Sequence, residues 1–313
     1  MHSSHSHPQE KVAEVLAPAK INLSLHVGPL QPDGFHPVCS LMDRITLADR
    51  VSAQRGPTGG GIRLAVSNMA GPVRENLAYR SAEALLREAA GPAGPSGQDS
   101  GNGFDVDIEL IKQIPVAAGL GGGSSDAAAV LRLLSFLFRL DVPEERLVEI
   151  AAGLGADVPF FLSDGPQLAE GRGGLLTPTP IGCDYTIVLV NPGLPLSTAE
   201  VYRRFDETAG ASGDDFSQRS RQLRESVAGL GSLEDLAALM HNDLAAPARS
   251  LCPQIRQIEL DLAATGPAGV LVSGSGPSVF ALYPDRPAAE NAAAELSRAY
   301  AHLRVASPIP QGR

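Results

Sequence analysis

Four glycines within five residues form the part of this sequence best suited to bind an anion. They are Gly119 and the run 121–123. Backbone N–H groups without a side chain beside them can approach an anion closely, and a helix predicted from Ser124 onward directs its positive dipole end to the same place. A plain glycine turn capped by Ser124 is the alternative, but three adjacent glycines cost backbone entropy. The segment therefore favours a phosphate-binding loop.

Two common nucleotide loops do not fit this spacing. A P-loop ends in Gly-Lys-Ser/Thr, and no lysine follows these glycines. A dinucleotide fingerprint counted from Gly119 or Gly121 would require glycine where Ser124 or Asp126 stands. A different kind of phosphate site is indicated.

Asp157 and Lys20 are the residues best suited to act on a hydroxyl group. Asp157 lies at the mouth of an apolar segment, where it can serve as a general base or simply cap a turn. Lys20 lies between Ala19 and Ile21, where an ammonium group is costly unless it has a partner or reaches the surface. We expect Asp157 to be that partner.

A second glycine turn, at Gly274, Ser275 and Gly276, separates two predicted strands. We expect it to pack against the first loop, although a plain hairpin turn would also explain the glycines.

The elements that must position these residues alternate between strands and helices. Predicted strands cover 12–27 (as two short strands), 44–54, 61–66, 104–110, 269–273 and 279–283, with a further buried strand beginning the second half. Predicted helices follow Asn76 and the first glycine loop and cover 143–162 (as a pair), 233–244, 253–264 and 288–303. Loops are predicted at 91–103 and 210–215, where Gly, Pro and Ser are frequent.

Composition limits the possible functions. At 313 residues, with 43% apolar and 19% charged residues, the chain is predicted to form two domains, residues 11–178 and 179–313, after a disordered tail of residues 1–10. The net charge of −10 argues against nucleic acid as a partner. The sequence has neither a membrane-length apolar run nor the pattern of a secretory signal, so a cytoplasmic location and no membrane partner are predicted. The three cysteines, Cys39, Cys183 and Cys252, are interpreted as packing residues.

Five motifs in order resemble those of the galactokinase, homoserine kinase, mevalonate kinase and phosphomevalonate kinase (GHMP) superfamily, over nearly the whole chain from Val15. The additional glycines resemble its diphosphocytidyl-methylerythritol kinase branch. The motifs are PAKINL (18–23), PVAAGLGGGSSDAA (115–128), GLGADVPFF (153–161), NDL (242–244) and SGSGPSVF (273–280).

The resemblance implies an α+β fold with an N-terminal domain like the second domain of ribosomal protein S5 and a ferredoxin-like C-terminal domain. It implies an ATP-dependent kinase that phosphorylates the 2-hydroxyl of a cytidine diphosphate-linked methylerythritol in the non-mevalonate isoprenoid pathway. Asp157 and Lys20 would flank that hydroxyl. The residues that would bind ATP are Pro115, Val116, Ala117, Ala118, Gly119, Leu120, Gly121, Gly122, Gly123, Ser124 and Ser125.

The same resemblance implies an acceptor site. Phe35 replaces the family's tyrosine before His36, so stacking on a base is retained and a hydroxyl is lost. Tyr202 would cover the other face of the base, and Asn22 and Thr198 would contact the rest of the acceptor. Simple packing of Phe35 and His36 after a turn is the alternative.

Magnesium is implied because the transferred phosphates need charge neutralisation. Its ligands are not evident: Ser124, Ser125 and Asp126 are near enough, but Asp126 is better explained as an acid in the first helical turn. Lys112 faces either the phosphates or solvent.

Three alternatives remain at this stage. They are another GHMP kinase, of homoserine or phosphomevalonate type, a catalytically silent ligand-binding homologue, and an S5-like nucleic-acid module. A monomer or a homodimer is expected.

Overall fold

The computed structural model describes residues 12–67, 72–91, 104–208 and 213–310. The predicted tail of residues 1–10 and all but the first residue of the predicted loop 91–103 lie outside these ranges. Within them, two β-sheets and the helices that cover them confirm a mixed α and β architecture.

The first sheet contains seven strands, in the order β3-β4-β2-β1-β8 with β5 and β6 branching from β2. Its strands are β1 (Ala13–Val27), β2 (Val38–Arg55), β3 (Ile62–Val66), β4 (Val106–Ile111), β5 (Gln167–Gly171), β6 (Leu175–Pro178) and β8 (His241–Asn242). A 3-10 turn (Val73–Glu75) precedes the helices that cover it: α1 (Leu77–Ala90), α2 (Gly122–Phe138), α3 (Glu144–Leu154) and α4 (Val158–Leu162).

Strand β1 is one strand, where two short ones were predicted. Its pairing with β2 shifts register between Pro18 and Ala19 and again between Asn22 and Ser24. A bulge tolerates a proline that cannot donate to the ladder, so the strand continues past Pro18. This continuity places Lys20 and Asn22 in the middle of a paired strand.

The second sheet has four strands in the order β11-β7-β10-β9. They are β7 (Thr186–Val190), β9 (Gly269–Val272), β10 (Val279–Tyr283) and β11 (Leu303–Ala306). The remaining helices are α5 (Thr198–Thr208), α6 (Gly213–Val227), α7 (Leu233–Ala238), α8 (Ala245–Leu251), α9 (Gln254–Ala264) and α10 (Arg286–Leu296).

A shared apolar core joins the two sheets. Ile21 and Leu23 of β1 are fully buried in the same cluster as Ile187 and Phe280 of the second sheet. Strand β8 also pairs in parallel with β1, from Ser24 to Leu25. Strand β1 is therefore held by residues of both sheets.

Three element boundaries differ from those predicted in the second half of the chain. The predicted helix 233–244 ends at Ala238, because Asn242 lies in β8 and its side chain donates to the carbonyl groups of Val272 and Gly274, each at 2.8 Å. The predicted helix 288–303 spans Arg286–Leu296, and Leu303 begins β11 instead. The predicted flexible insert 210–215 overlaps α6 from Gly213 onward. None of the described helices is both long and apolar enough to cross a membrane.

Helix α6 is attached to β1 and β8 through a cluster of charged and imidazole groups. Arg219 donates to both carboxylate oxygens of Asp243, at 2.7 and 2.9 Å, and approaches His26 Nδ1 at 3.4 Å. His241 lies 2.7 Å from Asp243 and stacks on His26, with ring centroids 4.8 Å apart. Such side chains can bind a metal, but here Arg219 supplies the cation, so we interpret the cluster as structural.

We expect this cluster to make the fold sensitive to acid through His26. Burial, followed by the neighbouring His241, lowers the pKa of His26 to about 4. Because the unfolded chain takes up this proton near pH 6.5, stability is lost as the pH falls from there toward 4. Between pH 7 and pH 5 the wild type should lose about 2 kcal/mol more than His26→Gln, measured by urea unfolding at each pH. Equal losses in both proteins would contradict this.

Candidate active site

One open cavity of about 1080 Å³ brings the sequence-predicted site residues together. Its wall includes Lys20 and Asp157 as well as the first and second glycine loops. Phe35, His36, Thr198 and Tyr202 line it too. Two predicted site residues are buried and absent from the lining: Ser125, in the loop predicted to bind ATP, and Gly276, in the second glycine loop.

The first glycine loop is held from three sides. Lys20 N donates to Leu120 O at 2.9 Å, Ser273 Oγ donates to Gly119 O at 3.0 Å, and Leu196 N donates to Ala117 O at 3.3 Å. Gly119 has φ of +75°, and a Cβ added there would lie 2.1 Å from Ser273 O. Only glycine fits, so the loop geometry is set by its contact with the second loop.

Helix α2 begins at Gly122, two residues before the predicted start. Gly121 is its N-cap in the left-handed region, with φ of +68°, and Ser124 lies inside the helix rather than capping it. The first two amides of the helix therefore belong to Gly122 and Gly123, which have no side chains of their own. This start brings the positive end of the helix dipole to the cavity wall.

Asp126 is not the first-turn acid that was predicted. It lies in the second turn, where its Oδ2 accepts from Lys112 Nζ at 2.7 Å. Lys112 also bonds Asp49, whose Oδ1 accepts from the backbone of Ile114 at 2.8 Å. Lys112 thus connects the segment before the glycine loop to α2 and β2. Its ammonium group is paired with two carboxylates, so neither expected alternative, facing the phosphates or facing solvent, describes it fully.

Asp126 is a buried member of this network. Burial raises the pKa of its carboxyl above the usual range, and the Lys112 ammonium opposes this change. Asp126 Oδ1 and Ser125 Oγ are buried without a hydrogen-bond partner among the described residues. Two oxygen atoms beside a phosphate-type loop are therefore available to a hard cation or to its water.

Lys20 and Asp157 form the ion pair that the sequence predicted, with Nζ and Oδ2 3.9 Å apart. Lys20 is buried, and burial lowers its pKa while the charge of Asp157 opposes the change. Its ammonium also donates to Asn22 Oδ1, and Asn22 Nδ2 donates to Ser40 Oγ at 2.8 Å. Asn22 therefore orients Lys20, a role that the sequence did not suggest.

The side chain of Asp157 is not used as a cap. Asp157 is the N-cap residue of α4, yet its carboxylate makes no capping hydrogen bond. Pro159 at the start of that helix removes one donor that a cap would otherwise serve. The carboxylate therefore faces the cavity beside Lys20, which removes the capping alternative.

The second glycine loop contacts both the first loop and the ion pair. A Cβ on Gly274 would lie 3.1 Å from Asn22 Oδ1 and 3.2 Å from Lys20 Nζ. Ser275 Oγ is 2.9 Å from Thr198 Oγ1, so Thr198 joins this loop to the start of α5. The expected packing between the loops is present.

Phe35, His36 and Tyr202 form an aromatic part of the cavity lining. His36 Nδ1 lies 2.9 Å from Gly28 O, which requires a proton on Nδ1 because a carbonyl oxygen only accepts. Its ring packs on Tyr202 with centroids 5.2 Å apart, and its Nε2 is 3.5 Å from Asp206 Oδ2. Burial, with the charge of Asp157 adding to it, raises the pKa of Tyr202 to about 12.

Arg172, Asp206 and Asp49, the partner of Lys112, are residues that sequence reasoning missed. Arg172 follows Asp157 by fifteen positions in a glycine turn, and Asp206 is one of several acids on an exposed helix face. The quoted GLGADVPFF motif ended before Arg172. No local pattern distinguished these residues from ordinary surface charges.

Comparison with known families and curated proteins gives consistent results. The family described as GHMP kinases N terminal domain matches residues 76–165, and GHMP kinases C terminal matches residues 223–302. A 4-diphosphocytidyl-2-C-methyl-D-erythritol kinase of Geobacter sulfurreducens is 42% identical over 90% of this chain and 94% of its own length. One from Pelotomaculum thermopropionicum is 40% identical, over 92% and 94%.

Solved structures share the fold. A crystal structure of 4-(cytidine 5'-diphospho)-2C-methyl-D-erythritol kinase, 35% identical, superimposes with a TM-score of 0.72 and covers 96% of this chain and 100% of its own. A homoserine kinase from Cytophaga hutchinsonii, at 18% identity, gives a TM-score of 0.73 over 99% of this chain and 98% of its own. The second likeness concerns the fold alone, and both agree with the predicted two-domain architecture.

Proposed function

The chain belongs to the 4-diphosphocytidyl-2-C-methyl-D-erythritol kinase family of GHMP kinases, and we propose that Asp157 is the base through which it phosphorylates its acceptor. The acceptor is 4-diphosphocytidyl-2-C-methyl-D-erythritol. The reaction transfers the γ-phosphate of ATP to its 2-hydroxyl, a step of isoprenoid precursor synthesis. The observation that carries the proposal is the shared cavity, in which the glycine loop faces the Lys20–Asp157 pair.

In this mechanism the acceptor oxygen attacks the γ-phosphorus while Asp157 takes the hydroxyl proton. The new bond joins that oxygen to phosphorus, and the bond from phosphorus to the β-γ bridging oxygen breaks. ADP leaves with the electron pair of the broken bond. Phosphoryl transfer requires mainly alignment and positive charge, and the loop amides supply both around the transferred group.

Lys20 would stabilise the charges on both sides of the proton transfer. Its ammonium lies 3.9 Å from the Asp157 carboxylate and is held by Asn22. A buried cation at this position favours the ionised form of Asp157 before reaction and the developing alkoxide during it. Because burial lowers the pKa of Lys20, the ammonium depends on Asp157 for its charge in return.

We propose that Asp126 and Ser125 hold magnesium or its bound water. Asp126 lines the cavity, and its Oδ1 and Ser125 Oγ are buried oxygens that lack a partner among the described residues. Oxygen donors of this type suit Mg²⁺. When bound, the ion would neutralise charge on the β- and γ-phosphates.

The acceptor's base is proposed to bind between Phe35 and Tyr202, with His36 at its edge. Phe35 is 54% exposed although it lines the cavity, so its ring is available to a ligand. Since Nδ1 of His36 donates to Gly28, Nε2, which lies 3.5 Å from Asp206 Oδ2, is the ring nitrogen that would contact a base. Thr198, which bonds Ser275, and Asn22, which bonds Lys20, would contact the rest of the acceptor through their unused lone pairs.

We expect Phe35→Ala to weaken acceptor binding selectively. Loss of one stacking face should raise KM for the cytidylated acceptor about 10- to 100-fold, because stacking of a base on an aromatic side chain contributes about 1–3 kcal/mol. KM for ATP should stay unchanged, since the described contacts of Phe35 are with Asp33 and Arg172 and none is with the glycine loop. Steady-state kinetics with each substrate varied in turn measures both.

Phe136→Ala is the matched control. Phe136 is 76% exposed on α2, is absent from the cavity lining and should tolerate the same truncation without kinetic effect. An equal rise in KM for both variants, or none for Phe35→Ala, would argue for simple packing of Phe35.

The acceptor itself is tested by coupled measurement of ADP formation over a panel of alcohols. The purified protein should consume ATP with the cytidylated methylerythritol and ignore homoserine and phosphomevalonate. Turnover of either of those instead would assign the chain to another GHMP activity, and no turnover with any acceptor would indicate a silent homologue.

We also propose a two-domain division, a location and an assembly state for the chain. The division at residues 178 and 179 is supported by the family matches, which fall on either side of it. A cytoplasmic location, and a monomer or homodimer as the working state, are expected from the sequence.

A further inference from the structure

The guanidinium group of Arg172 has no role in the proposed phosphoryl transfer, yet it lies in the cavity beside Phe35. Arg172 lines the cavity, and its Cζ is 4.3 Å from the centroid of the Phe35 ring. Its Nη2 donates to Asp33, and Asp33 Oδ1 accepts from the backbone of Phe35 at 3.0 Å. Arg172 and Phe35 are thus fixed to one another through one carboxylate.

The turn that carries Arg172 is placed beside the catalytic segment. Arg172 lies between Gly171, with φ of +66°, and Gly173, with φ of +97°, in the turn joining β5 to β6. A Cβ on Gly173 would lie 3.8 Å from the Cβ of Ala156, the neighbour of Asp157. Arg172 therefore begins beside the segment that carries Asp157, the proposed general base, and reaches the Phe35 ring that is proposed to stack on the cytosine.

The cations that line the cavity differ in how far their own partners occupy them. Lys20 is bonded by Asn22 and Asp157, and Lys112 by Asp49 and Asp126. Arg203 is paired with Glu200 and Glu207 on its own helix. Within the described ranges Arg172 bonds Asp33 through Nη2 alone, and a guanidinium has five N–H donors. Arg172 therefore keeps N–H donors that have no partner among the described residues.

We propose that Arg172 is a specificity-determining residue that binds the diphosphate of the acceptor. This rests on the proposed acceptor, whose base at Phe35 and hydroxyl at Asp157 would place its diphosphate between them. Asp33 holds the guanidinium over the Phe35 ring, so its donors are already ordered, and the planar fork of arginine suits phosphate oxygens. The contact adds charge recognition to a base site in which Phe35 offers only a stacking face.

Calorimetric titration with cytidine and with cytidine diphosphate separates the diphosphate contact from stacking. The glycine loop is first saturated with a non-hydrolysable ATP analogue and magnesium, so that the probes report on the acceptor end. Arg172→Gln should weaken cytidine diphosphate about 10- to 100-fold, as expected for charge-assisted hydrogen bonds, and leave cytidine unchanged. Arg172→Lys should recover part of the loss because it restores charge without the fork.

Arg203→Gln is the matched control, since Arg203 lines the same cavity and is 61% exposed by side chain against 58% for Arg172. It should change neither affinity. Equal weakening of both probes by Arg172→Gln would mean that Arg172 only orders Phe35, and no weakening of either would mean that it stays outside the site. Both results would overturn the proposal. Failure of the proposed acceptor is distinguished because it would show as absent turnover in the wild type.

Discussion

Asp157→Asn is expected to lower kcat by about 10²- to 10⁴-fold, the range associated with loss of a positioned general base. The amide keeps the shape of the carboxylate but cannot accept the hydroxyl proton, and it also removes the charge that opposes the lowered pKa of Lys20. Nucleotide affinity should be retained, because the loop proposed to bind phosphate contacts β1 and the second glycine loop rather than Asp157. Single-turnover kinetics and nucleotide titration measure the two quantities separately.

Asp164→Asn provides the control for this variant. Asp164 follows α4, is highly exposed and pairs with Arg44 at 3.2 Å, outside the cavity lining. The same loss of one carboxylate there should leave kcat within about twofold, since exposed ion pairs contribute little. If Asp157→Asn retained the wild-type rate, Asp157 would not be the base.

Gly119→Ala is expected to disrupt both the phosphate loop and its contact with the second loop. The added Cβ would meet Ser273 O at 2.1 Å, on a backbone whose φ of +75° already disfavours alanine. Strain together with overlap should cost more than about 2 kcal/mol of folding free energy. The loop can relieve the overlap only by moving away from Ser273, so ATP affinity should fall as well. Thermal unfolding with and without ATP and magnesium measures both effects.

Gly123→Ala adds the same methyl group where there is room. The nearest atom to its Cβ is Leu77 Cδ1 at 3.7 Å, an ordinary contact, and Gly123 lies within α2. Thermal stability should therefore be retained or slightly raised, as for alanine replacing glycine in a helix. Equal stability of the Gly119 and Gly123 variants would show that the close approach of the two loops is not required.

The chemistry of the site could be predicted because its residues carry local signals. A glycine run before a helix and a lysine in an apolar strand are unusual in purely structural positions. Together with an aspartate at a turn, their order along the chain resembled that of one family. The structure places Lys20 and Asp157, 137 positions apart by their numbers, within ion-pair distance.

The partners of those residues could not be predicted in the same way. Asp49 lies in the middle of β2, and nothing in its local sequence indicates that it binds Lys112 across 63 positions. Arg172 contacts Phe35 only because the β5–β6 turn and the β1–β2 connection meet over the cavity. Such pairs depend on strand register, which sequence periodicity does not fix between distant segments.

The predicted ends of helices and strands were wrong where a side chain made a distant contact. Propensity favours continuing α7 through Leu239, but Asn242 bonds the carbonyl groups of the β9 end and draws the chain into β8. Two short strands were predicted over residues 12–27, and a bulge after Pro18 allowed β1 to continue as one strand. In both places tertiary hydrogen bonding outweighed local preference.

A crystal structure with a non-hydrolysable ATP analogue and the cytidylated acceptor tests the central claim most directly. The acceptor's 2-hydroxyl oxygen should lie within about 3.2 Å of an Asp157 carboxylate oxygen and about 3–3.5 Å from the γ-phosphorus, in line with the bond to be broken. The γ-phosphate should contact the amides of residues 119–123. A hydroxyl held far from Asp157, with the triphosphate away from this loop, would contradict the mechanism.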